Sequence, residues 1–140
     1  MVTKEITCEE KNIPPRVLIV DDEPDITEVL KMGLELKGGF QVDTFNDPQD
    51  ALLHFRPGFY DLLLSDIKMP HINGFELYLK IRDADKKIRV CFITAFQIYY
   101  DEFRELFPKL DVKCFANKPI SIERLVGVIR EELSLPNTNN

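Results

Sequence analysis

Three short, nearly unbroken apolar runs constrain this chain more than any other feature: Val17-Leu18-Ile19-Val20, Leu62-Leu63-Leu64 and Val90-Cys91-Phe92-Ile93. Each has the length of a strand rather than of a buried helix. A strand that is apolar at successive positions must be covered on both faces, as in a parallel sheet held between two helical layers. The full set of predicted strands is residues 16–20, 41–45, 61–65, 90–94 and 113–116. The second alternates polar and apolar residues, which suits an edge.

Helix signals fill the gaps between strands. Pro24 suits a first helical turn, and Ile26, Val29, Leu30, Gly33 and Leu34 trace one stripe ending at Gly38-Gly39. Asp47-Pro48 reads as an N-cap followed by proline, with Ala51, Leu52 and Phe55 inward. Phe75, Tyr78, Leu79 and Arg82 trace a third helix after the Asn73-Gly74 turn. Residues 97–107 form a fourth, closed by Pro108, and Ser121 caps a fifth with Ile122, Leu125, Val126, Ile129 and Leu133 on its apolar face. Alternating strands and helices imply right-handed crossovers and a three-layer α/β sandwich. In such sheets the functional crevice lies beyond the carboxyl ends of the strands.

At 140 residues the chain is expected to be one domain. Residues 1–15 read as a polar leader stopped by Pro14-Pro15, 16–135 as the folded domain and 136–140 as a polar tail, with no output domain. The formal net charge of −6 argues against direct contact with nucleic acid, which needs clustered Lys and Arg. The densest basic stretch, residues 80–89, is interrupted by Asp83 and Asp85 and reads as a solvated helix end and loop. No apolar run approaches the roughly 20 residues of a membrane span, and the leader lacks an apolar signal core, so the expected location is cytoplasmic. The three cysteines have no regular spacing and read as reduced, mostly buried thiols.

Asp21-Asp22 follows the first apolar run and Asp66 follows the third. Three carboxylates at one sheet edge raise one another's pKa unless a cation intervenes, and Mg²⁺ suits a site with few carboxylates and several waters. An ionised Asp66 beside it could attack a phosphoryl group, with Lys118 as second counter-charge and Thr94 as a small hydroxyl donor. His54 and His71 read as surface residues and Ser65 as strand packing.

Asp21-Asp22, Asp66 with Met69-Pro70 and Gly74, Thr94-Ala95 and Lys118-Pro119, each at a strand end and in this order, resemble the receiver domain of two-component response regulators, the CheY-like family. The resemblance runs from about residue 16 to residue 133. It implies a flavodoxin-like sheet of strand order 2-1-3-4-5. It implies Asp66 as phosphoacceptor from a sensor histidine kinase or phosphotransfer protein. Mg²⁺ would be held by Asp22 directly, Asp21 mainly through water, Asp66 and the Lys68 backbone carbonyl. Lys118 would bind a phosphoryl oxygen, its bond to Pro119 would be cis, and Thr94 and Phe115 would move together as the switch. Where the family often has Tyr, Phe115 keeps the ring and loses the hydroxyl.

The resemblance also implies that the side chains of Lys68 and Phe96, two residues after Asp66 and Thr94, would flank the hydrolytic water, so that a bulky Phe96 would shield the phosphoryl group and give a long-lived phosphorylated state. Phe96, Tyr99, Tyr100 and Phe103, with Phe107, give an aromatic stripe that suits an output partner or a homodimer. The chain therefore reads as a stand-alone phosphoacceptor switch acting through a protein contact. An Mg²⁺-dependent aspartyl phosphohydrolase shares the acids and the lysine, but needs a second Asp two residues after the nucleophile, where this chain has Lys68. A degenerate receiver used only for binding would not need the acids, threonine and lysine together.

Overall fold

The computed structural model describes residues 13–95, 105 and 114–135. Its elements in chain order are β1 Arg16–Val20, α1 Pro24–Gly38, β2 Gln41–Phe45, α2 Pro48–His54, β3 Leu62–Asp66, α3 Gly74–Ala84, β4 Arg89–Thr94, β5 Phe115–Asn117 and α4 Ile122–Glu132. The five strands form one parallel sheet of order β2-β1-β3-β4-β5. Of the expected helix over residues 97–107 only Glu105 is among the described residues, where it is helical and exposed.

Alternation along the central strands explains the unbroken apolar runs. Leu18, Val20, Leu63, Val90 and Phe92 point to one face, where α3 adds Phe75, Leu77, Tyr78 and Ile81. Val17, Ile19, Leu62, Leu64, Cys91 and Ile93 point to the other, against Leu30 and Leu34 of α1 and Leu125, Val126 and Ile129 of α4. Both faces are covered by helices, so the central strands are apolar at successive positions until their carboxyl ends, where Ser65 and Thr94 are buried.

The helix ends are set locally. Asn73 accepts the Glu76 N–H at 2.9 Å while Glu76 accepts the Asn73 N–H at 3.0 Å, a reciprocal capping box at the start of α3. Asp47 accepts the Gln49 N–H at 2.9 Å, and Ser121 the Arg124 N–H at 3.1 Å. Gly39 closes α1 in the left-handed region, at φ 70°, with its N–H on the Leu34 carbonyl.

Several expectations are corrected. The third strand is Leu62–Asp66, so Asp66 is its last residue and pairs with Ile93 rather than standing beyond the strand. Asp61 instead accepts the Arg16 N–H at 2.9 Å below the strand. Val29, expected in the inward stripe of α1, is 61% exposed, and Thr27 takes the buried position. In α3 the buried residues are Gly74, Phe75, Leu77, Tyr78 and Ile81, with Leu79 and Arg82 at their margin. Cys91 and Cys114 are not separate thiols: they meet across β4 and β5 and are joined as a disulfide, because the register places them side by side.

Candidate functional site

The parallel register brings the carboxyl ends of β1, β3 and β4 to one edge, and the acids arrive with them. One carboxylate oxygen each from Asp21, Asp22 and Asp66 lies within 4.8 Å of the others. Asp21 is buried, Asp66 is 12% exposed at its side chain, and Asp22 is half-buried. Like charges at this spacing in a partly dry site repel strongly, so a cation must share it.

Lys118 answers part of that demand. Its ammonium donates to Asp21 Oδ2 at 2.9 Å and to Asp66 Oδ2 at 3.2 Å, with Glu23 at 3.9 Å on the rim. The Lys118–Pro119 peptide is cis, and the Lys118 N–H donates to the Thr94 carbonyl at 2.8 Å. Burial pulls the Lys118 ammonium down, but its hydrogen bond to Asp21 and the charges of Asp66 and Asp21 outweigh that and hold it above the usual lysine range. Burial raises the Asp66 carboxyl above its ordinary value; Lys118 opposes the rise and Asp21 adds to it.

Asp66 is held at both oxygens, since Oδ1 accepts the Ile67 N–H at 2.7 Å. Gly74 brings α3 tightly behind it, with its N–H on the Ile67 carbonyl at 2.7 Å. Ser65 is buried and donates to the Asp66 carbonyl at 2.7 Å, a contact within the end of β3. Thr94 ends β4, buried, in register with Asn117. Phe115 is half-buried in β5, its ring 5.4 Å from Phe92, which also meets Phe75 and Tyr78 edge-on. Lys68 lies just past the site with an exposed side chain. His54 and His71 are exposed and outside the acid cluster. Phe96, Tyr99, Tyr100 and Phe103 lie outside the described residues.

Sequence reasoning missed a brace behind the acids. Asn46, in the turn after β2, donates to the Asp21 carbonyl at 2.9 Å and to the buried Thr27 hydroxyl at 3.0 Å, and that hydroxyl donates to the Pro24 carbonyl. It also missed Glu23, whose N–H donates to Asp21 Oδ1 at 3.0 Å. Glu23 extends the acidic pair to three residues in a row and could have been suspected; the Asn46 contact has no sequence signal.

Three hard oxygen donors at an open edge, two of them bridged by an ammonium, fit a small divalent cation such as Mg²⁺. Among the described residues no helix is long and apolar enough to cross a membrane.

Comparison with known proteins agrees with this geometry. The family described as response regulator receiver domain matches residues 17–130. The transcriptional regulatory protein TrcR of Mycobacterium tuberculosis is 35% identical over 84% of this chain and 44% of its own length. Response regulator ArlR of Staphylococcus aureus is 35% identical over 82% of this chain and 51% of its own. The chain thus spans about half the length of these curated relatives. Among solved structures, a CheY-like receiver domain protein from Methanospirillum hungatei superposes with a TM-score of 0.76 at 26% identity, covering 87% of this chain and 95% of that one. The response regulator protein TrrA of Thermotoga maritima, in complex with Mg²⁺-BeF, superposes with a TM-score of 0.70 at 32% identity, covering 84% of this chain and 97% of that one. With its five-stranded sheet and its acids and lysine at one edge, the chain belongs to the response regulator receiver domain family.

Proposed function

We propose that Asp66 is the phosphoacceptor of this receiver domain, taking a phosphoryl group from a phosphohistidine on a sensor kinase or phosphotransfer protein. The observation that carries this reading is the convergence of Asp21, Asp22, Asp66 and Lys118 at one sheet edge. An Asp66 oxygen attacks phosphorus in line with the leaving nitrogen. The phosphorus–nitrogen bond breaks, its electron pair stays on the imidazole, and an acyl phosphate remains on Asp66. Lys118 exchanges its contact with Asp66 for a phosphoryl oxygen while keeping Asp21. Asp21, Asp22, Asp66 and the Lys68 carbonyl would hold Mg²⁺, which would supply further neutralisation of phosphoryl charge. Thr94 and Phe115, on adjacent strands and joined through the Lys118 backbone, form the responding pair.

The donor has a place to dock. Val29, Met32 and Leu36 of α1 are 61%, 57% and 79% exposed, and an apolar groove of about 370 Å³ runs from Val29 past Ile122 to Lys118 and Pro119. An apolar face continuous with the phosphoryl-binding lysine suits the donor protein rather than the output partner. Output is proposed for the aromatic segment after Thr94, toward a partner protein or a second copy, and the site of action is proposed to be the cytoplasm.

Incubation with acetyl phosphate and Mg²⁺ tests the reading: one phosphoryl group should be gained per chain, and none by Asp66→Asn. Many donor turnovers per chain would favour a hydrolase, and no gain would favour a receiver that only binds.

A further inference from the structure

Cys91 and Cys114 have no part in the phosphoryl chemistry, yet Cys91 lies in β4 and Cys114 immediately precedes β5, the two strands that carry its responding groups. Phe92 pairs with Phe115 and Thr94 with Asn117, so the cysteines face each other one step earlier, with Cα atoms 4.6 Å apart. That separation lies within the range a disulfide spans. The Phe92 N–H donates to the Cys114 carbonyl at 2.9 Å, so the sulfurs and the backbone join the strands at the same point.

We propose that Cys91 and Cys114 are a reversible thiol–disulfide modification site that exchanges with low-molecular-weight disulfides of the glutathione class. The oxidised form staples β5 to β4 and changes how Thr94 and Phe115 respond to phosphorylation of Asp66. The first part stands on the cysteine geometry; the coupling rests on the assignment of Asp66.

Access comes through β5. It is an edge strand of three residues, and such an element opens at much lower cost than the whole domain. Cys91 is fully buried and Cys114 is 8% exposed, so Cys114 reacts first. Its thiolate attacks one sulfur of the small disulfide, forming a mixed disulfide and expelling one thiolate. Cys91 then loses its proton to water, and its thiolate attacks the Cys114 sulfur and expels the second. Two protein thiols are oxidised by two electrons, and one small disulfide is reduced to two thiols. In a reducing compartment such bonds are transient and serve sensing.

The staple has a mechanical consequence. It fixes the residue immediately before Phe115, whose ring packs on Phe92. Three residues later the Lys118 N–H holds the Thr94 carbonyl. Motion of Phe115 or Thr94 must therefore work against a strand pair held at the cysteine end by a covalent bond as well as the Phe92–Cys114 backbone hydrogen bond when oxidised, and by that hydrogen bond alone when reduced.

The test uses the full chain carrying Cys8→Ser, which leaves two cysteines. It is equilibrated with oxidised or reduced glutathione, denatured with iodoacetamide and weighed intact. The oxidised sample should carry no alkyl group and no glutathione, and the reduced sample two alkyl groups. Two alkyl groups in both samples, or glutathione left on Cys114, would overturn the site. Each form is then labelled with acetyl phosphate and Mg²⁺. The acyl phosphate lifetime should differ by about twofold or more between forms, and the difference should vanish in Cys114→Ala and in Cys91→Ser. Equal lifetimes overturn the coupling. Absence of label in both forms counts against Asp66 as well, whereas the thiol counts are read before any phosphodonor is added.

Discussion

Gly74 opens α3 directly behind Asp66, and alanine there should push the helix off the site. A Cβ at this position would lie 2.2 Å from the Asp66 carbonyl oxygen, 3.0 Å from Ile67 Cα and 3.1 Å from Asp66 C. The first contact falls 0.8 Å short of the 3.0 Å that real Cβ atoms keep. Both sides are backbone, so no side-chain rotation relieves it. The strand must retreat or α3 must back away, stretching the 2.7 Å bond from the Gly74 N–H to the Ile67 carbonyl. Overpacking costs typically about 1–3 kcal/mol, and a backbone-to-backbone clash belongs at the top of that range, about 3 kcal/mol. Urea unfolding of Gly74→Ala against wild type measures the loss, and acetyl phosphate labelling reads the displacement of Asp66. Gly127→Ala is the matched control: its Cβ meets nothing within 4 Å inside α4, so it should stabilise by roughly 0.5–1 kcal/mol. If Gly74→Ala unfolds within about 0.5 kcal/mol of wild type, the close packing of α3 on Asp66 is wrong.

Other expectations follow from the charges and the exposed faces. Burial raises the Asp66 carboxyl, so its contribution to stability is full below the unfolded carboxylate range, about 3.9 for Asp, and is lost as pH rises through the folded value. Asp66→Asn without Mg²⁺ should therefore melt above wild type at pH 7, with the gap closing toward pH 3; a lower melting temperature at pH 7 would contradict this. Lys118→Met leaves buried Asp21 without its ammonium, an expected loss of about 1–3 kcal/mol after allowing for the 21% exposure of Lys118. Millimolar Mg²⁺ should recover part of that loss in melting experiments, and no recovery would speak against the cation site. Met32→Glu with Leu36→Glu should cut phosphotransfer from a protein donor about tenfold or more while leaving acetyl phosphate labelling intact; an equal fall in both would place the defect elsewhere. Phe96→Ala should shorten the lifetime of the acyl phosphate, and an unchanged rate would remove Phe96 from that role.

Much of the fold was legible because its signals are local and redundant. Leu62, Leu63 and Leu64 announce a strand covered on both faces, and Asn73 with Glu76 announces where α3 begins. The acids and Lys118 were found because strand ends in a parallel sheet converge, so residues 97 positions apart in sequence meet at 2.9 Å. What could not be read depends on register and helix rotation. Cys91 and Cys114 meet because β4 and β5 pair at one particular offset, and nothing in either segment specifies that offset. Val29 shares the helical spacing of the inward stripe yet is exposed, because spacing defines a stripe but not its angular width against the sheet. Asn46 braces Asp21 through a turn whose course depends on where β2 ends.

The central claim is that the phosphoryl group is written on Asp66. An acyl phosphate is reduced by borohydride to an alcohol, converting aspartate to homoserine. After labelling with acetyl phosphate and Mg²⁺, borohydride treatment and peptide mass analysis should find homoserine at position 66 and at no other acid. Homoserine at Asp21 or Asp22, or none in a labelled protein, would contradict the account.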